Sequence, residues 1–345
     1  MLDSLHTQED KTIHSLHKLL ELQCINGLNH FRKVLRSYVV FHTLFILILL
    51  GELIFTAIAY CLQDAASFLA VGLFSLVLTL FSYLVLIFYV QAKKPEQTKQ
   101  LKDWFVSICK KSVSEELSQA DFHLFLAQAT YTFATFFQPK ELPVYWASFP
   151  IASIQRLIKK CCYLWHWKDF QHMKELLLLD CIYQHLALLK EEPTNLEVHA
   201  SLGNSYLALA SVYKSIHRAS QEEPSSDHLV SELTKKFQGA ITRAMEEYKI
   251  IRASSDHEDP WVLAQLATCY HELGLFDKEI EHFEKILEIS DFNQEVMLRL
   301  AHLYFQEGRN AQGFKLYKII KETDPTKAAE LFDYYISKAQ EEALV

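Results

Sequence analysis

Glycine is scarce in this chain, with eight in 345 residues, and none falls in a G-x-G-x-x-G or G-x-x-x-x-G-K-[ST] pattern. Loops that cradle phosphate need glycines at such spacings, so Rossmann and P-loop nucleotide sites are excluded. The same scarcity argues against a turn-rich all-β fold. Cysteine is present seven times, an odd number, without a single C-x-x-C. That usage fits reduced thiols rather than a disulfide framework or a zinc site. The vicinal pair Cys161-Cys162 has ordinary packing or a redox switch open to it. Catalytic signatures are missing too. His271-Glu272 and His257-Glu258 begin like H-E-x-x-H, but Leu275 and Trp261 stand where the second ligand is needed. No G-x-S-x-G nucleophile elbow occurs. His14 and His17 share a helix face without a third ligand nearby, which leaves them as solvated or core-edge histidines. No enzyme activity, cofactor, metal or small-molecule substrate is therefore expected.

Charge is absent from one long stretch, and this absence organises the chain. Ala65–Val90 carries no charged residue, and Ser37–Leu62 carries only Glu52. At ~1.5 Å rise per residue, each 26-residue run is long enough for a ~30 Å hydrocarbon core. Only Gln63 and Asp64 lie between them, so residues 37–92 read as a two-helix transmembrane hairpin in a lipid bilayer. Arg32, Lys33 and Arg36 precede it, Lys93, Lys94 and Lys99 follow it, and the turn has no Lys or Arg. The positive-inside rule then places both termini in the cytoplasm. Some 36 residues precede the first run, more than a secretory signal carries. Glu52 is an intramembrane carboxylate, to be read as a helix-packing group or as part of an ion pathway.

The rest divides by composition. Residues 1–36 form an amphipathic cytoplasmic helix with Leu5, Ile13, Leu16, Leu20 and Ile25 in its stripe. Residues 93–160 form a mildly basic helical juxtamembrane region, with a helix over Glu96–Lys111 and an aromatic one over Phe122–Phe137. Ser112–Glu115 has capping-box spacing, and Pro139, Pro143 and Pro150 break the helical pattern. From Pro193 to Val345, 16 Lys and Arg face 25 Asp and Glu, a balance that makes nucleic acid an unsuitable partner.

Beyond Pro193 the sequence repeats at a spacing of 34. Leu266, Ala267, Tyr270, Gly274 and Phe283 recur as Leu300, Ala301, Tyr304, Gly308 and Tyr317. These positions, with Asp324-Pro325 closing the second unit, resemble the tetratricopeptide repeat (TPR) family, whose unit is a helix-turn-helix of that length. The two clear units are 260–293 and 294–327. A degenerate unit over 196–259 carries Leu202-Gly203, Tyr206, Ala244 and Tyr248, with an insertion at 213–243. The pattern departs from the family at Glu279, Ile286 and Ile320, where small residues are usual, and at Asn310, where an aromatic is. Ala328, Phe332, Tyr335 and Ile336 suit a capping helix. The fold expected is all-α: a membrane hairpin, a helical segment, and a TPR-type solenoid over 161–345.

The resemblance implies a groove for partner proteins or peptides on the concave face. Its positions fall on Asn204, Trp261, His271, His302 and Phe305, with Arg299 beside them. The lysine-rich clamp that some family members use for C-terminal carboxylates is missing, with Ala200 and Ala264 at clamp-type positions. For Trp261 and Phe305, packing between repeats is the competing assignment. If the groove assignment holds, truncating Phe305 and Arg299 together abolishes partner capture and leaves folding intact. The whole layout resembles bacterial inner-membrane proteins that place two spans before a TPR array, and implies a scaffold at a membrane. A secreted bacterial protein inserted in a host membrane, or a transport or enzyme-complex subunit using Glu52, are the alternatives.

Overall fold

The computed structural model describes residues 2–61, 66–112, 118–137, 152–222, 227–255, 257–290 and 293–344. Among them every regular element is an α-helix, and the chain forms two compact units, Met1–Gln184 and His185–Val345. The turn at Gln63-Asp64, the capping box beyond Ser112, the proline cluster at 139–150 and the centre of the polar loop at 223–226 lie outside the described residues, as do the side chains of His14, His17, Cys161 and Cys162.

The first unit is built on two long helices, α1 (Leu2–Cys61) and α2 (Ala66–Ser112). They pair antiparallel. Tyr38 Oη donates to Gln97 Oε1 at 2.5 Å, His42 Nδ1 lies 3.0 Å from Tyr83 Oη, and Glu52 Oε1 accepts from Ser75 Oγ at 2.6 Å and Thr79 Oγ1 at 2.8 Å. Glu52 thus has hydroxyl partners on the facing helix, which its sequence neighbourhood could not reveal. The amphipathic segment before the apolar run and the one after it are not separate helices: each continues its span without a break, α2 even through Pro95. Proline removes one backbone bond and crowds the preceding turn, but one such defect does not end a helix held along its length by a partner.

The character of the pair changes along its length. In the apolar part the large side chains point outward, Leu47, Phe55, Phe74, Val77, Phe81 and Phe88 among them. Each helix is long and apolar enough to cross a membrane, and only 6% of the most apolar window of each is buried. A core helix of a soluble protein buries most of such a window. Away from the apolar part the same helices close inward, with Cys24, Phe31, Leu35, Leu101, Phe105 and Cys109 buried. Helix α3 (Gln119–Phe136) and α4 (Ala152–Glu191) supply Phe133 and Phe170. Phe31 meets Phe137 edge-on at 4.9 Å, and Phe105 stacks on Phe133 at 4.3 Å. Burial pushes the thiols of Cys24, Cys109 and Cys269 up to about 12, which leaves almost no thiolate at neutral pH.

The second unit is a run of helical hairpins: α5 (Leu196–Glu222) with α6 (Asp227–Ser254), α7 (Pro260–Glu272) with α8 (Phe276–Ile289), and α9 (Gln294–Gln306) with α10 (Asn310–Thr323). Helix α11 (Pro325–Leu344) follows and packs on α9 and α10. Among the described residues, the extra ones of the first hairpin are helical and lengthen α5 and α6. The period of 34 reappears in geometry. Asp259 and Asn293 accept from backbone amides as N-caps of α7 and α9. Gly274 and Gly308 have φ of 70° and 71°. In the first turn the amides of Gly274 and Leu275 reach the carbonyls of His271 and Tyr270; in the second those of Gly308 and Arg309 reach Phe305 and Tyr304. Both are Schellman closures, which require a residue with positive φ. Ala267 and Ala301 are fully buried between helices, and the unusual Ile286 and Ile320 are core residues.

The glycine turn and one buried histidine are each open to test. Gly308→Ala is expected to lower stability by about 1–2 kcal/mol, since an L side chain is strained at that φ; urea unfolding of the full chain in detergent, followed by circular dichroism, checks it. His185 is buried and its pKa falls from 6.5 to about 4 because burial disfavours the imidazolium. The unfolded chain then binds the proton more readily, so the stability this group contributes is complete above about pH 6.5 and is lost as pH falls toward 4. His185→Gln is expected to flatten that part of the stability profile.

Candidate functional site: a polar face on the repeat helices

The sequence places its candidate residues on α5, α7 and α9, the first helices of the three hairpins. The structure sorts them into two clusters, one lone histidine and one core residue.

The first cluster is Asn204 and Trp261, joined by Tyr248 of α6. Tyr248 Oη donates to Asn204 Oδ1 at 2.8 Å, and the Trp261 indole meets the Tyr248 ring edge-on at 5.9 Å. The Tyr248 ring lies so close to Gly203 that an added Cβ would stand 2.7 Å from it, so glycine is what admits the ring. Trp261 begins α7 directly after Pro260, with its amide bonded to Asp259, and this start leaves the indole 40% exposed. It is the most accessible aromatic in the set.

The second cluster is centred on Glu279 of α8, one of the positions where the sequence departs from the repeat pattern. Its side chain is 1% exposed. Arg299 of α9 donates to Oε1 through Nε at 3.2 Å and Nη2 at 2.8 Å. Nδ1 of His271 lies 2.9 Å from Oε2 and 2.8 Å from Arg299 Nη2. That nitrogen can donate to the carboxylate or accept from the guanidinium, and Nε2 then takes the opposite role. Arg299 is thus fixed by a buried carboxylate from the preceding hairpin, with less than half of its side chain exposed. Beside this cluster Lys214 pairs with Glu272 at 2.6 Å, tying α5 to α7.

His302 stands apart. Its Nδ1 is 2.9 Å from the Leu298 carbonyl, which makes Nδ1 the protonated nitrogen and leaves Nε2 as an acceptor, and its ring packs on Tyr334 at 4.9 Å.

Phe305 is a core residue. It is 1% exposed, in a cluster with Met297, Ala301, Ile320, Ala328 and Leu331, and its ring packs against Phe314 and Tyr335. Its backbone carbonyl accepts from Lys338 of α11 at 2.7 Å. The expectation that Phe305 and Arg299 could be removed without cost to folding is therefore corrected: α11 covers the first, and the second neutralises a buried charge. Sequence reasoning missed Tyr248 and Glu279 as the buried partners that hold this surface, although Glu279 was visible as a departure from the repeat pattern.

No protein-family model matches the chain, and no curated protein sequence does. Among solved structures it is similar to a thermophilic TPR protein from Thermus thermophilus, at 16% identity, covering 61% of this chain and 97% of that one, with a TM-score of 0.31.

Three substitutions separate these roles. Phe305→Ala is expected to cost about 3–5 kcal/mol, as truncation of a buried aromatic does. Arg299→Ala is expected to cost about 3 kcal/mol by leaving Glu279 buried without its guanidinium, with only His271 beside it, and adding Glu279→Ala should recover most of that loss. Trp261→Ala is expected to change stability by less than about 1 kcal/mol. Denaturant titration of the four variants against the parent chain reads all three.

Proposed function

We propose that this chain is a membrane-anchored scaffold without catalytic activity, which binds protein or peptide partners on the repeat helices. The observation that carries the reading is a contrast within one chain. An apolar helical pair turns its large side chains outward, while a helical-repeat unit keeps its apolar residues in and offers a polar surface around Trp261, His271 and His302. A TPR-like repeat fold is suited to protein interaction, because stacked hairpins make an extended surface from few residue types. In this proposal the hairpin at 37–92 lies in the bilayer of a bacterial inner membrane, both termini are cytoplasmic, and the repeats 260–293 and 294–327, with the longer one at 196–259, face the cytoplasm.

Asn204, Trp261, His271 and His302 form the contact surface in this proposal, with Arg299 holding its middle in place and Phe305 supporting it from the core. Trp261 is the anchor, since interface energy concentrates in aromatic residues that a partner can enclose. The hydroxyl partners of Glu52 support a helix-packing role for that carboxylate within the hairpin.

Reporter tags at Met1 and Val345 should give the same compartment signal, and opposite signals would show that one apolar run does not span. Cross-linking of the full chain in its membrane, followed by affinity measurement on the captured partner, tests the surface. Trp261→Ala should weaken that affinity about 30-fold, equivalent to ~2 kcal/mol, with unchanged helicity. Undiminished capture would move the binding surface off these helices.

A further inference from the structure

Within the first unit a cavity of about 460 Å³ opens between α1, α2 and α4, where the apolar part of the helical pair gives way to its polar part. Its walls are of two kinds. Val39, Ile46 and Val90 give it an apolar lining, while Tyr38, His42, Thr43, Gln91, Lys94 and His166 give it a polar one. Ile46 is also among the outward-facing residues of the pair, so the apolar wall is continuous with the exposed flank.

The polar side is built rather than incidental. Lys94 Nζ bonds Asp169 Oδ2 at 2.6 Å and lies 5.3 Å from the centre of the Tyr38 ring. His166 Nδ1 bonds the same Asp169 oxygen at 3.1 Å, and Tyr38 Oη is held by Gln97. These contacts fix the ammonium at the rim of the cavity. An ammonium has three N–H donors, and the bond to Asp169 takes one.

We propose that this cavity holds the phosphodiester of a membrane glycerophospholipid, with an acyl chain running along Val39, Ile46 and Val90. The proposal rests on the membrane-anchor reading above. Three features favour this occupant. The cavity meets apolar and polar surroundings at once, as a headgroup with its chain does. Basic pockets between spanning helices on the cytoplasmic side are suited to lipid headgroups. The charge is also right: Asp169 balances part of Lys94, so the site suits the single negative charge of a diester better than free phosphate, which is a mixture of mono- and dianion near pH 7.

The test uses the full chain in detergent and native mass spectrometry with added dioleoyl phosphatidylglycerol. Dioleoylglycerol, which has the chains without the phosphate, and inorganic phosphate are the comparison probes. The phospholipid is expected to remain bound, the two comparison probes are not. Lys94→Gln should reduce phospholipid occupancy at least fivefold, Lys94→Arg should retain it, and Lys93→Gln, whose ammonium lies beside Tyr89 instead, should leave it unchanged. Val39→Trp, which fills the cavity without touching a charge, should also abolish binding, so the outcome does not depend on whether Lys94→Gln alters folding. Equal occupancy in Lys94→Gln, Val39→Trp and the parent chain would overturn the proposal, as would inorganic phosphate binding as tightly as the lipid. Carbonate extraction separates the two readings. A chain released from membranes sinks the anchor itself, whereas a retained chain indifferent to both substitutions sinks only the lipid site.

Discussion

A helix that ends and reverses within three residues must satisfy the carbonyls it leaves behind, and the second unit depends on how that is done. At Gly274 and Gly308 the chain enters the left-handed region, and two amides fold back onto the last turn of the preceding helix. The closure fixes where the second helix of each hairpin begins. It thereby fixes which faces of α7 and α8, or α9 and α10, meet. Ala267 and Ala301 can be fully buried because that geometry brings the helices close, and the bulkier Ile286 and Ile320 are buried as well. The polar surface is a consequence of this arrangement, since the residues left outside the core face are the ones on offer to a partner.

The Glu279 cluster shows how a departure from a repeat pattern can be absorbed. A carboxylate buried between helices would cost several kcal/mol if left alone. Here Arg299 arrives from the next hairpin and His271 from its own, so a single charge ties three helices together. The Tyr304 hydroxyl, which donates to Glu284 at 2.5 Å, adds a second polar link between the same neighbouring hairpins. Such bonds constrain how one hairpin sits against the next more than nonspecific apolar contact does, because their geometry tolerates little displacement.

The first unit solves a different problem with the same element. Its two long helices are apolar outside along one part of their length and apolar inside along the other. Hydroxyl and carboxyl groups at the facing surfaces, Glu52 with Ser75 and Thr79 above all, hold the pair where few apolar side chains are buried. Nearer the ends of the pair the aromatic cluster around Phe31, Phe105, Phe133 and Phe170 takes over.

The helical character, the two uninterrupted apolar runs and the 34-residue period were legible in the residues alone, because each is a local pattern: hydropathy along one segment, or a spacing imposed by one turn. The same reading marked Asn204, Trp261, His271 and His302 as polar or aromatic residues on the first helices of hairpins. Which of these have exposed surface was settled by packing. Phe305 and Trp261 are alike as sequence features, yet α11 and α10 bury one ring, while the other meets Tyr248 edge-on and stays 40% exposed. The spacing places Arg299 beside the groove, but the buried carboxylate it pairs with belongs to Glu279, twenty residues away. Burial and ion pairing depend on what the rest of the chain brings alongside, and no spacing within one helix encodes that.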